Sequence, residues 1–292
     1  MGAIAKGLPV AFHLWVFCIG AVVGSFLNVV IARVPRGESI VSPGSRCPRC
    51  GNPIAWYDNI PLLSWLLLRA KCRKCGQPIS VRYPLVELLT AVLAVAVVRQ
   101  FGPTPLALGM FVFAAALVAL AYIDMDSWLL PHQITWPLLA AGLASPLWNR
   151  PLGFVASLIG AGAGFALFAA IALIGERVLK RETMGWGDVW LLAGIGAWLG
   201  WQALFPVVML SALQGSVVGI VLIAAGRDPA ARETQPPPAE AAPAAVNPDD
   251  DWVPPKHAVP YGPFLSLAAL EVLLFGQRLS ALADHLLRRL VA

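Results

Sequence analysis

Two short stretches put a carboxylate where an apolar run meets water: Tyr122-Ile123-Asp124-Met125-Asp126 and Met184-Gly185-Trp186-Gly187-Asp188. A charge inside a bilayer costs about 3 kcal/mol on insertion scales, so two acids at one membrane face call for a reason. Two carboxyl groups that share one proton can supply both the base that activates water and the acid that protonates a carbonyl or leaving amine. That is peptide hydrolysis without a metal or a covalent intermediate. Asp124 and Asp188 are the expected catalytic pair, with Asp126 a close rival to Asp124. Gly185 and Gly187 would let the chain turn sharply and lie close to a substrate backbone beside Asp188. An acid just before an apolar run is often only a helix N-cap, and that reading stays open for Asp188.

A second set of reactive residues lies upstream. Cys47-Pro48-Arg49-Cys50-Gly51-Asn52-Pro53-Ile54 is repeated as Cys72-Arg73-Lys74-Cys75-Gly76-Gln77-Pro78-Ile79. Each CxxC turn presents two sulfurs to one ion, and two turns close a tetrahedron around zinc. A pair of disulfides or redox CxxC motifs is the alternative, which a reducing cytoplasm disfavours. A four-thiolate site has no open coordination position, so Cys47, Cys50, Cys72 and Cys75 predict structural zinc that holds a coreless loop folded.

These residues need elements to position them, and composition says which kind. The 292 residues are 58% apolar and 13% charged, with a mean hydropathy of +0.72. A soluble chain carries nearer 45–50% apolar and about 25% charged residues. Long uncharged runs without alternation predict an all-α polytopic membrane protein rather than a β-barrel. Eight spans fit, near 9–34, 84–99, 105–123, 133–149, 152–175, 188–204, 206–225 and 261–276. The first run is too long for the apolar region of a signal peptide. The net charge of +5 fits basic cytoplasmic loops rather than a nucleic-acid partner.

Segment 33–83 holds nine of the 21 Lys and Arg, which predicts that it is cytoplasmic, with the N-terminus outside. Counting spans then puts Asp124, ending the third, and Asp188, opening the sixth, on the same cytoplasmic face. An even span count leaves the basic tail 277–292 outside, unless it is an amphipathic helix lying on a surface. Stretch 227–259, rich in Pro and Ala, reads as a disordered cytoplasmic linker. Gly160/Gly164 and Gly196/Gly200 read as small-residue pairs for close helix packing. Cys18, inside the first span, reads as a packing residue. No H-E-x-x-H occurs, and His132 and His257 have no ligand partner at helical spacing.

With these motifs in hand, the chain resembles the bacterial type IV prepilin peptidases, a family of GxGD membrane aspartic proteases. The resemblance runs through Gly24-Ser25-Phe26-Leu27-Asn28-Val29, Arg33-Val34-Pro35, the two knuckles with Asn59-Ile60-Pro61 between them, and Arg82-Tyr83-Pro84 to Glu87. It continues through Ile123-Asp124, Leu130-Pro131, Met184 to Asp188, Gly196 to Gly200, and Pro260-Tyr261-Gly262-Pro263-Phe264. It implies that Asp124 and Asp188 are catalytic. It also implies that the substrates are type IV prepilins or type II secretion pseudopilins, cut on the cytoplasmic side of the inner membrane. Many members then methylate the new N-terminus with S-adenosylmethionine. Asn28 and Glu87 are candidates for that second site, or bond only between helices. Three features depart from the family pattern: His132 where an Asp is common, Trp190 where a Lys is common, and a longer linker.

The expected domains are a first span (1–34), a zinc loop (35–83), a protease core (84–226), the linker (227–259), and a last span with its tail (260–292). Two other classes remain as alternatives: a proton-coupled transporter with the aspartates as relay groups, and an assembly scaffold that docks through the zinc loop. The transporter reading requires acids nearer mid-span. The scaffold reading requires that Asp188→Ala retain function.

Overall fold

The computed structural model describes residues 8–149, 151–180, 184–225 and 259–291, apart from the side chains of Leu179, Gln277 and 279–291. Nine α-helices follow one another in the described residues. They are α1 (Val10–Arg33), α2 (Leu63–Leu67), α3 (Arg82–Phe101), α4 (Pro105–Ser127), α5 (His132–Ala144), α6 (Phe154–Leu179), α7 (Trp186–Leu199), α8 (Leu204–Ala224) and α9 (Gly262–Val291). No strand forms among them, only two isolated bridges in the loop between α1 and α3. The architecture is therefore all-α. The stretch expected as a disordered linker lies outside the described residues, except for its last position. The tail 277–292 continues α9 as helix through Val291.

Every apolar run read as a span forms a helix, but the helices are not equally long. Among the described residues, five stretches are long and apolar enough to cross a membrane: Val10–Arg36, Arg82–Phe101, Pro105–Ser127, Phe154–Val178 and Trp201–Ala224. This is a multi-pass membrane protein. The helices α5 and α7 have 13 and 14 residues, which rise about 20 Å against a hydrocarbon core of about 30 Å. Pro146 turns the end of the fourth run into a 3-10 turn at Ser145–Leu147. Gly200, at φ 82°, ends α7 and starts another 3-10 turn at Trp201–Ala203. Gly200 is thus a helix stop as well as a packing residue, since a Cβ on Gly160 would lie 3.0 Å from its carbonyl carbon.

Helix α7 is the centre of the fold. Its residues from Val189 to Trp198 are buried except Trp190, so it needs no lipid-facing length. Close approach to α6 depends on Gly160 and Gly196, where a Cβ on either would collide with the other's carbonyl. Gly164 meets the Leu192 carbonyl on the same face. Interiors without side chains let backbones touch, which is how helices associate in membranes. The same device joins α1 to α3: a Cβ on Gly20 would lie 2.7 Å from Ala91 Cα, and one on Gly24 2.6 Å from Glu87 Cα. Indole Nε1 of Trp198 donates to the Leu138 carbonyl at 2.8 Å and ties α7 to α5. Cys18 is exposed on the outer face of α1 and does not pack inside.

Candidate active site and metal centre

The helix α4 starts with Pro105 at its first position and the Thr104 hydroxyl accepting from Ala107 N–H at 3.2 Å. It runs past Asp124 to Ser127, and Trp128 in the left-handed region closes it. Asp124 therefore lies inside the last turn, 5% exposed. Its Oδ2 accepts from the backbone N–H of Gly262 at 2.9 Å. That N–H belongs to the first residue of α9, where helix donors have no partner of their own and carry positive partial charge. A Cβ on Gly262 would sit 2.7 Å from the same oxygen, so only glycine gives this carboxylate its donor.

Asp126, the rival, has a different setting. It is about half exposed and forms an ion pair with Arg82 at 2.5 Å. The Arg82 guanidinium also reaches the Tyr122 carbonyl and lies 5.0 Å over the Tyr122 ring.

Asp188 is the third residue of α7, with Gly185 as the N-cap. Its N–H bonds the Gly185 carbonyl at 3.1 Å, so Asp188 lies in the first turn and is not the cap. The Oδ1 of Asp188 is buried with no hydrogen-bond partner among the described residues. Asp188 lies within electrostatic reach of both Asp124 and Tyr261. The Tyr261 hydroxyl is 2.6 Å from Ser211 Oγ on α8. Gly185 has ordinary extended angles, φ −68° and ψ 137°. Gly187 is needed for packing: a Cβ there would lie 2.7 Å from Leu130 Cβ. Leu130, 6% exposed, also meets Gly262 and wedges the ends of α4, α7 and α9 together.

Two of the three departures from the family pattern, His132 and Trp190, fall in one aromatic chain. His132 stacks on Trp136 at 4.9 Å, Trp136 meets Trp190 edge-on at 6.1 Å, and Phe165 lies 4.9 Å from Trp190.

The cysteine loop folds the same way twice. Cys47 N–H bonds the Asn52 carbonyl at 2.9 Å and Cys72 N–H the Gln77 carbonyl at 2.8 Å. Gly51 and Gly76 take φ of 66° and 69°, which favours glycine, so each knuckle needs the residue that follows its second cysteine. The four sulfurs lie within 4.8 Å of one another, with Cys47 and Cys75 at 3.9 Å. Tetrahedral zinc thiolates with bonds of about 2.3 Å would space sulfurs by about 3.8 Å. All four cysteines are free thiols. Backbone N–H groups of Cys75 and Lys74 bring the Cys72 thiol down to about 6. At Cys75 the Gln77 N–H pulls the other way, but desolvation and the three neighbouring sulfurs push that thiol up to about 11. The cluster can therefore hold a metal ion. Arg73 clamps the loop to Asp58 with two bonds of 2.8 and 2.6 Å, which pulls the Asp58 carboxyl below its usual range.

Asn28 and Glu87 are both buried, 8% exposed each. Asn28 Nδ2 donates to the Tyr83 carbonyl at 3.1 Å, and Glu87 Oε2 accepts from Leu62 N–H at 2.7 Å. These bonds join α1, α3 and the start of α2 beneath the cysteine loop. Gly262, Tyr261 and Ser211 carry no role in the sequence reading. The Gly-Pro at 262–263, opening the last apolar run, is the signal that marks Gly262 as a helix start.

Residues 18–101 match the bacterial peptidase A24 N-terminal domain, and residues 111–220 match the type IV leader peptidase family. The chain is 46% identical to a prepilin leader peptidase/N-methyltransferase of Myxococcus xanthus (strain DK1622), over 92% of each chain. A protein of the same name from Aeromonas hydrophila is 39% identical over 95% of each. One from Burkholderia pseudomallei (strain 1026b) is 36% identical over 94% of this chain and 88% of the relative. No solved structure matches the chain. A buried carboxyl on α4, another in the first turn of α7, and a match to these relatives along nearly the whole length place this chain in the type IV leader peptidase family.

Proposed function

We propose that this protein is a membrane aspartic endopeptidase that removes the short basic leader of type IV prepilins or type II secretion pseudopilins. It then methylates the new N-terminus. Both activities are in the names of its relatives. The peptidase assignment rests on Asp124 and Asp188 lying within electrostatic reach of each other on separate helices wedged by Leu130, one held by Gly262 N–H and the other with a buried oxygen left unpartnered.

The two carboxyl groups act on one water. One takes its proton as it attacks the scissile carbonyl, and the other donates to the carbonyl oxygen and then to the leaving amine. Gly262 N–H holds Asp124 in orientation while Asp188 Oδ1 faces the reacting groups. Both acids lie at helix ends, where a helical substrate can unwind and expose its carbonyls more easily than at mid-bilayer. A relay in a transporter would place its acids nearer mid-span.

The basic loop 33–83 argues that the cysteine loop and both aspartates face the cytoplasm of a bacterial inner membrane. Cys47, Cys50, Cys72 and Cys75 hold structural zinc, and the closed set leaves the ion no catalytic position. S-adenosylmethionine is the methyl donor.

The test mixes a purified prepilin in detergent with wild type, Asp124→Asn, Asp126→Asn or Asp188→Asn. Leader release should vanish for the first and third variants and survive in Asp126→Asn. Retained cleavage in Asp188→Asn would end the proposal.

A further inference from the structure

Helix α2, Leu63–Leu67, has two unlike faces. Ser64 and Trp65 turn back into the cysteine loop. Ser64 Oγ donates to the Tyr57 carbonyl at 3.0 Å, and Trp65 Nε1 donates to the Ile79 carbonyl at 3.2 Å. Both side chains line a cavity of about 520 Å³ that Asn28 and Glu87 close from below. Leu63, Leu66 and Leu67 share the other face, at the i, i+3, i+4 spacing. They do not line the cavity and all are exposed, Leu67 by 72%. Trp56, in the adjoining 3-10 turn, is 81% exposed. An apolar patch of this kind marks a contact surface. We infer that this face of α2 lies in the bilayer surface on the loop's own side, with anionic phospholipid headgroups against the cations that follow it.

Depth is the first argument. Leu62 N–H, at the entry to α2, donates to Glu87 Oε2 at 2.7 Å. Glu87 lies inside a stretch apolar enough to span the membrane, ~8 Å along the helix from Arg82 at its start. An interfacial helix sinks its apolar face about 5–10 Å into the boundary, so this tether holds α2 at the right level. Trp is favoured at the same depth, which suits Trp56. Strain is the second argument. Left-handed residues bracket α2, with Leu62 at φ 62° before it and Arg69 and Ala70 at φ 50° and 58° after it. Non-glycine residues hold such angles only where their surroundings fix them, so the aim of the helix is set against a cost.

Charge decides between lipid and protein. Asp58 is the one acid in 44–82, and Arg73 takes it. Exposed Arg69 and Lys71, just after α2, therefore meet no acid of the loop. Cations beside a span are drawn to anionic headgroups. A second copy of the chain packed on this face would bring the same cations against each other, and a basic leader would be repelled. The contact also reaches the metal cluster. Trp65 Nε1 bonds the Ile79 carbonyl and Ile79 N–H bonds the Ala70 carbonyl, so the second knuckle rides on the helix that lipid holds.

The test uses the full-length protein, one copy per lipid nanodisc, without substrate. A nitroxide-bearing residue replaces Leu66 or, separately, Leu67 as a non-canonical amino acid, which leaves the cysteines unlabelled. Spin relaxation compares collisions with oxygen, which concentrates in lipid, and with a water-soluble nickel chelate. Val92, half exposed on α3, is the lipid reference. In discs that contain phosphatidylglycerol, oxygen should outweigh the chelate at 66 and 67 as it does at 92. A chelate that dominates at both positions overturns the inference, since water, a second copy or a substrate would then be what meets this face. In discs of phosphatidylcholine alone, chelate access at 67 should rise severalfold. The variant Arg69→Gln/Lys71→Gln should show the same rise in the anionic discs. Equal access in both lipids would leave the cations without their assigned partner and overturn the inference too. None of these measurements needs peptidase or methyl-transfer activity, so they stand apart from the proposed function.

Discussion

In the cysteine loop, residues 45–54 and 70–79 repeat each other bond for bond, and every backbone partner lies within nine positions. At the aspartates, the donor that holds Asp124 comes from 138 residues away, and the wedge between the helices is a leucine in a connecting turn. The loop gets its shape from short-range turn chemistry and lacks a core, and its four clustered sulfurs can hold an ion. The aspartate site gets its shape from packed helices. The two regions should therefore fail separately.

The largest effect should come from the metal. Structural zinc supplies about 10 kcal/mol or more to coreless peptides. Cys72→Ser, or a strong chelator, should release the ion and open the loop to trypsin at its many Lys and Arg residues. Far-ultraviolet circular dichroism should keep the helical signal. If the helices melted as well, the two regions would not be independent.

Next comes the acid pair. Asp188→Asn should lower leader release by about 10²–10⁴-fold with metal content unchanged. A smaller loss tests the other side of the comparison, because chemistry confined to the aspartates should not survive one amide.

Gly262→Ala should cost less. Its Cβ would press on Asp124 Oδ2, and overpacking of this kind costs about 1–3 kcal/mol. The expected result is a fall in kcat for leader release with little change in KM. An unaltered kcat would show that Asp124 does not depend on that contact.

The smallest effect is expected from the link between the regions. Arg82 and Asp126 are part exposed, and such pairs contribute about 0.2–1 kcal/mol. Arg82→Ala should change leader release less than fivefold, by an amount that shrinks as salt rises. A large, salt-independent loss would mean that the bridge does more than join the halves.

How much was legible follows the same division. The CxxCGxPI repeat announces its fold because each knuckle closes on itself, down to the glycine at positive φ. The helix positions were legible because apolar runs in lipid must bond internally. Their lengths were not: Pro146 and Gly200 cut two runs short, and a helix buried by protein needs no full crossing. Asp124 and Asp126 differ by two places in one helix, and nothing local separates them. Packing does, by turning one inward toward Gly262 and the other outward to Arg82.

Residue order alone disclosed the membrane class, the two matched cysteine knuckles and the two apolar boundaries that carry acids, because each depends on neighbours a few bonds apart. Only the tertiary structure decided which acid is buried, which backbone donor holds it, and that Asn28 and Glu87 share a cavity with the metal loop. Those features need groups distant in the chain to meet, and helix packing, which no single stretch of residues encodes, brings them together.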